Sequence, residues 1–258
     1  MRSTRLAGFL VLGMLAAAPA AADVTIRQKT SGKSPVGGMS GETVQYLKGT
    51  RMRTDQTVGG AATSVIVDAA AQRMISLDHK RRQAEVHDMR AIAGEIAKVA
   101  SEGLEARVTP TAKAREIAGH ACTVHDMSVR VPMQMGGDTL MVVMSGPVCL
   151  AKGVPGEADY AAFYRAAAEK GLFFGDPRTA KAQPGQARGM SELYREMASR
   201  GVPLSLEMQI GFEGSGPMAA MMSKMSGSTI VTEVTSIEAG ALADSLFEVP
   251  EGYTVAKR

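Results

Sequence analysis

From residue 24 to residue 88 apolar and polar positions alternate in short runs broken by Gly, Asp and basic pairs. VTIRQKTS (24–31), ETVQYLKG (42–49), RMRTD (51–55), SVIVDA (64–69), QRMISLD (72–78) and RRQAEVHD (81–88) each read as a strand. A Gly/Ser-rich loop follows the first run, and two to four turn-type residues separate the others, which predicts a meander of hairpins rather than βαβ units. Val44, Tyr46 and Lys48 fall on one face of the second run, and Arg51 and Arg53 project from one face of the third.

The period then changes. Met89, Ile92, Ala93, Ile96, Val99 and Ala100 lie at i, i+3, i+4, i+7, an apolar stripe of a helix that Gly103 stops. Beyond a strand near 106–118 comes GHACTVHDMSVRVPMQMGGDTLMVVMSGPVC (119–149), a long hairpin. YAAFYRAAAEKG (160–171) returns to helical spacing, with Tyr160, Phe163, Tyr164 and Ala167 on one face. A Pro/Gly-rich linker (175–189) leads to a second such face at Met190, Leu193, Tyr194 and Met197. Strands at 203–214 and 228–240 flank a short helix, MAAMMSKM (218–225), and the chain closes with DSLFEVPEGYTV (244–255).

Two registers satisfy the long hairpin. Pairing Val131 with Leu140 sets Val129 against Val142 and Met127 against Met144, an apolar face with Asp126, Ser128 and Arg130 opposite, and it brings Cys122 directly across from Cys149. A tight two-residue turn at Gly136-Gly137 shifts the pairing by two, keeps the apolar face and makes the cysteines diagonal. Either way a Cys122–Cys149 disulfide is expected, contributing about 3 kcal/mol for a loop of this length. The competing reading of the stretch is a soft-metal site using His120, His125 and neighbouring methionines; strand alternation puts His120 and His125 on opposite faces.

The first residues set the compartment. Arg2 and Arg5 precede the apolar run LAGFLVLGMLAAA, and Ala20-Ala21-Ala22 offers an A-x-A cleavage site before Asp23, so residues 1–22 read as a secretory signal peptide and 23–258 as a single exported domain, not membrane-spanning after cleavage. A helical insertion occupies about 156–201 of that domain. Loss of Arg2 and Arg5 takes the net charge from +3 to +1, and only 4% of the residues are aromatic, which argues against nucleic acid as a partner. The chain is methionine-rich, with 18 in all; Met218, Met221, Met222 and Met225 share one helical face, an adaptable surface for a lipid-like ligand or simply a core stripe. His79-Lys80-Arg81-Arg82 is a basic cluster at a hairpin turn. No P-loop, G-x-S-x-G, G-x-G-x-x-G or H-E-x-x-H is present, acids form no pair for acid–base work, and no cofactor is implied.

The segments 42-ETVQYLKGTRMRTD-55, 65-VIVDAAAQRMISLDHKRRQAEV-86, 117-IAGHACTVHDM-127 and the closing 246-LFEVPEGYTV-255 resemble a family of exported bacterial proteins known only as a domain of unknown function, similar to the LolA-type periplasmic lipoprotein carriers and sorting proteins. The likeness runs over about residues 24–255. It implies an α+β fold, an incomplete antiparallel β-barrel (a curved sheet) with amphipathic helices on its concave face, and a periplasmic, non-catalytic protein sheltering a lipid or lipoprotein acyl chain. No binding residue carries over from the carriers. The amphipathic stripes supply the candidate lining: Ile92, Ile96, Met218, Met221, Met222 and Met225. The alternatives are a copper-type metal module using His120 and His125, and a structural envelope protein whose interior is only core.

Overall fold

The computed structural model describes residues 23–34, 37–58, 60–98, 103–135, 138–172, 183–224 and 226–257. Alternation along the chain becomes one unclosed sheet of twelve strands. Six form a first meander: β1 (Val24–Ser34), β2 (Gly37–Lys48), β3 (Arg51–Val58), β4 (Ala61–Asp68), β5 (Arg73–Asp78) and β6 (Gln83–Asp88). Five form a second: β7 (Glu105–Ile117), β8 (His120–Met135), β9 (Asp138–Ala151), β10 (Val202–Gly214) and β11 (Ser228–Ala239). The two meanders join where β1 pairs antiparallel with β11, from Val24 opposite Ala239 to Lys33 opposite Thr229.

The expectation of a purely antiparallel sheet is corrected at one edge. β12 (Thr254–Lys257) runs parallel to β6. The chain leaves β11 in the middle of the sheet and must cross over a face to reach the β6 edge, and a crossover of that kind is what parallel pairing requires. The crossing segment, 240–253, is a strap rather than the strand expected at 244–255. It begins with Gly240 N–H donating to the Asp23 carbonyl, holds a 3₁₀ turn at Asp244–Phe247, and ends with Thr254 N–H donating to the Arg82 carbonyl.

Four helices lie among the described residues: α1 (Met89–Lys98), α2 (Glu157–Glu169), α3 (Pro184–Ala198) and α4 (Pro217–Ser223). α2 and α3 connect β9 to β10, which pair directly. α3 starts at Pro184, inside the stretch read as linker; proline fits the first helical turn, where its missing N–H has no intrahelical partner to lose. α2 packs on α3 and reaches β2 and β10, while α3 lies on β7, β8 and β10 and receives α1. Gly156 (φ 73°) precedes α2, and a Cβ there would collide with Val24, so glycine sets the closest approach of helix to sheet. The sheet curls strongly: Arg115 of β7 meets Glu233 of β11 at 3.1 Å, although three strands lie between them in the sheet.

Three buried clusters result. Val24, Ile26, Leu47 and Met52 pack beneath Phe163 and Tyr164 of α2, in a cluster that also takes in Ile92 and Ile96. Val129, Val131 and Met144 pack beneath Leu193 and Met197 of α3. The third lies on the outer face of the first meander, where Ile66, Ile75, Leu77 and Ala84 are covered by Phe247 of the strap.

In the long hairpin the register is the shifted one. Val131 pairs with Val142, Val129 with Met144 and Met127 with Gly146, not with Leu140, Val142 and Met144. Met135 opposes Asp138, leaving two residues between the strand ends, the length a tight hairpin turn favours. Cys149 therefore faces Val124, and its disulfide to Cys122 runs diagonally with the Cα atoms 5.5 Å apart, inside bridging range.

Candidate functional site

Cross-strand registers build the site row by row on the inner face of the sheet. Val24, Leu47 and Met52 align in one apolar row, sealed under α2. Two residues further along each strand, Gln45 and Thr54 stand beside Ile26. The next row is Gln28, Thr43 and Gln56, and beyond it Thr30 faces Thr232 of β11, their hydroxyls 3.2 Å apart. β1, β2 and β3 thus each change from apolar to neutral polar as they leave the helices. Period-two alternation keeps Arg53 and Asp55 on the opposite face.

The second meander supplies a different wall. Leu204, Leu206 and Met208 of β10 and Ile230 and Val234 of β11 line the same cavity, with Met197 of α3. Tyr160 and Tyr164 of α2, one turn apart, and Tyr194 of α3 form the roof. Tyr164 lies 4.5 Å from the Tyr160 ring and stacks on Tyr194 at 5.4 Å, and its hydroxyl donates to Met52 Sδ at 3.9 Å. Burial pushes all three phenol pKa values up, Tyr164 and Tyr194 adding to the shift of Tyr160 and Tyr194 to that of Tyr164, which its hydrogen bond with Tyr160 partly offsets, so the hydroxyls stay neutral. The space between these walls, partly open to solvent, is about 340 Å³, within the range of small-ligand pockets. Among the described residues its lining holds no Asp, Glu, Lys, Arg or His.

The sequence-derived lining residues lie elsewhere. Ile92 and Ile96 are buried in the core at α1, and Ile96 also borders a separate groove between α1, α2 and α3. α4 sits on β10 and β9, inside the connection between β10 and β11. Ala219 is its buried contact, Met218 and Met222 are half-buried, and Met221 is 53% exposed. Met225 lies outside the described residues. None of the five described ones lines the cavity above, whereas Tyr160, Tyr164, Tyr194 and Met197 were read as helix-face residues and do line it. The Gln and Thr wall went unread because such residues on one strand face resemble an ordinary solvent face.

In the stretch that holds the two cysteines the sulfur chemistry is that of a disulfide. Both sulfurs are bonded to each other, so no thiolate is free to ligate. His125 is buried and donates from Nδ1 to the Thr123 carbonyl at 2.9 Å; His120 is half-buried at the β7–β8 turn. No group of three or more His, Cys, Asp or Glu with metal-binding geometry occurs among the described residues. His125 and Cys122 border an open surface groove of about 750 Å³ with Lys152 and Arg200.

The basic residues of the first meander are engaged by the strap. Arg51 meets Asp244 at 2.6 Å and lies over the Phe247 ring at 4.9 Å, and Arg53 donates to the Leu246 carbonyl and to Asp55. They belong neither to a cavity nor to open water. His79 of the basic turn bonds to Ser64 and Tyr253.

No protein-family model and no curated protein matches the chain. Solved structures do. An uncharacterized conserved protein of Thermus thermophilus superposes with TM-score 0.40 and 8% identity, covering 91% of this chain and 90% of its own. A domain described under outer membrane lipoprotein sorting, from Vibrio parahaemolyticus, gives TM-score 0.31 and 9% identity over 88% and 90% of the two chains. A DUF1329 family protein of Desulfovibrio piger gives TM-score 0.31 and 8% identity over 89% and 91%. The last two are of the kinds that the sequence motifs resemble.

Proposed function

We propose that this protein is a non-catalytic, exported binding protein of the periplasm that shelters a hydrophobic ligand, the acyl chain of a lipid or lipoprotein, inside an incomplete, LolA-like barrel. The observation that carries the reading is the 340 Å³ space between the apolar wall of β10 and β11 and the tyrosine roof of α2 and α3. Acyl burial there contributes about 0.8 kcal/mol per methylene, so a short length of chain gives useful affinity. Cleavage after Ala22 delivers the domain to an oxidising compartment, in keeping with the paired cysteines.

In this reading α4 is the surface over which the ligand arrives. Its half-buried and exposed methionines are unbranched and repack around varied shapes, and α4 links the two strands that carry Met208 and Ile230. Ile92 and Ile96 back the helical roof from within the core.

The test is intact mass of the mature protein taken from its own periplasm, under native and then denaturing conditions. A lipid-sized excess lost on denaturation supports the reading. A bare polypeptide mass in both conditions sinks it. Replacing Met221 and Met222 together with Glu should abolish the excess while leaving the fold intact; an unchanged excess removes α4 from the site.

A further inference from the structure

We infer that the ligand of this cavity is an uncharged amphiphile, a neutral acyl ester of the acylglycerol type, held with its hydrogen-bonding portion against the Gln/Thr wall and its hydrocarbon along β10 and β11. The inference rests on the hydrophobic-ligand reading above and names the class within it.

Two features of the lining support it. The first is charge. A carboxylate or phosphate brought into the space meets no lining Lys, Arg or His among the described residues, the Arg115 guanidinium that reaches the lining Ser205 is already paired with Glu233, and the phenols overhead remain un-ionised. An ion moved from water into such surroundings without a partner is strongly disfavoured. Free fatty-acid anions and phospholipid headgroups are therefore excluded from the interior.

The second is the polar wall. Gln28, Thr43 and Gln56 form one continuous cross-strand row, and Gln45 with Thr54 forms the adjacent one. Amides and hydroxyls offer both donors and acceptors. A plain hydrocarbon lying on them replaces water without restoring its hydrogen bonds, which costs free energy for each group left unpaired. Ester carbonyls and free hydroxyls of an acylglycerol restore them. The apolar side needs no such match: Leu204, Leu206, Met208 and Ile230 accept methylenes directly. Because the polar wall belongs to β1–β3 and the apolar wall to β10–β11, the two halves of the ligand lie side by side across the β1–β11 junction.

The delipidated mature protein is titrated at pH 8 with monooleoylglycerol, with oleate and with oleoyl-lysophosphatidylglycerol, three probes sharing one chain, by displacement of the neutral dye Nile red. Monooleoylglycerol is expected to bind at least tenfold more tightly than either anion. Gln28→Leu with Gln45→Leu, shown folded by circular dichroism, should erase most of that preference. Equal or tighter binding of the anions, or a preference untouched by the double variant, overturns the neutral-ligand inference and leaves the hydrophobic-ligand reading standing. Failure of all three probes to displace a bound dye, or of the dye to bind at all, overturns both.

Discussion

The Tyr253 hydroxyl lies 2.6 Å from Nδ1 of His79, a contact between the end of the strap and the turn that joins β5 to β6. His79 Nε2 is 2.6 Å from Ser64 Oγ, and the Ser64 hydroxyl donates to Asp55, which also receives Arg53 Nε at 2.7 Å. Donor directions follow from counting hydrogens. The single Ser64 hydrogen goes to a carboxylate that only accepts, so Nε2 of His79 donates to Ser64 Oγ, while Nδ1 is bonded to the Tyr253 hydroxyl. A chain of hydrogen bonds thus pins the strap across β3 and β4.

Tyr253→Phe removes the last link and should lower stability by about 1 kcal/mol. Ser64→Ala leaves Asp55 and His79 each short of a partner at a buried site and should cost more, about 2–3 kcal/mol. Urea denaturation with an unchanged m-value is the measurement; equal losses for the two variants would show that the chain is not connected in this way.

Phe247→Ala empties the position that caps Ile66, Ile75 and Leu77 on the outer face. A loss of about 3–5 kcal/mol is expected for a fully buried phenylalanine. The cavity is on the other face, so ligand affinity measured below the unfolding transition should not change.

Replacing Cys122 and Cys149 together with Ala should lower stability by about 3 kcal/mol, through the freedom that the reduced loop regains when unfolded. Thermal unfolding of the wild type with and without reductant should reproduce the difference. Insensitivity to reductant would mean the bridge adds nothing.

Asp159, in the first turn of α2, is buried, its Oδ2 meets no hydrogen-bond donor, and burial together with the nearby charge of Asp23 raises its pKa. A carboxyl whose folded pKa stands above its unfolded value weakens the fold once ionised, and the penalty disappears as pH falls through the folded pKa toward 3.8. Asp159→Asn should therefore unfold at a higher temperature than wild type at pH 7, with the gap closing by about pH 4. A gap that widens on acidification would reverse the assignment.

Local patterning made the elements legible. The runs at 51–55, 72–78 and 81–88, the stripe from Met89 and the faces around Phe163 and Leu193 coincide with strands and helices of the structure. The relationships between distant segments were not legible. Val44 and Tyr46 look like the core face of β2, yet they point outward, Tyr46 packing in the cluster under the strap, while Thr43 and Gln45 face the cavity. Both faces of the first meander are covered, one by helices and one by residues 240–253, so apolar side chains on a strand do not say which face is inner. The hairpin register failed for a related reason: both alignments keep the same apolar face, and only the turn geometry separates them.

Except at β1 and β11, every antiparallel neighbour in the sheet is also a neighbour in the chain. The hairpins of each meander can zip up from nearby residues and β9 finds β10 across the two-helix connection, whereas the β1–β11 junction must wait for the ends of the domain to find one another, the longest-range encounter in the sheet. The cavity walls come from opposite sides of that junction, so the pocket does not exist in either half alone. A ligand present while the chain folds can therefore act on the last step, trapping the joined halves as they meet, and its occupancy becomes a record of completed assembly.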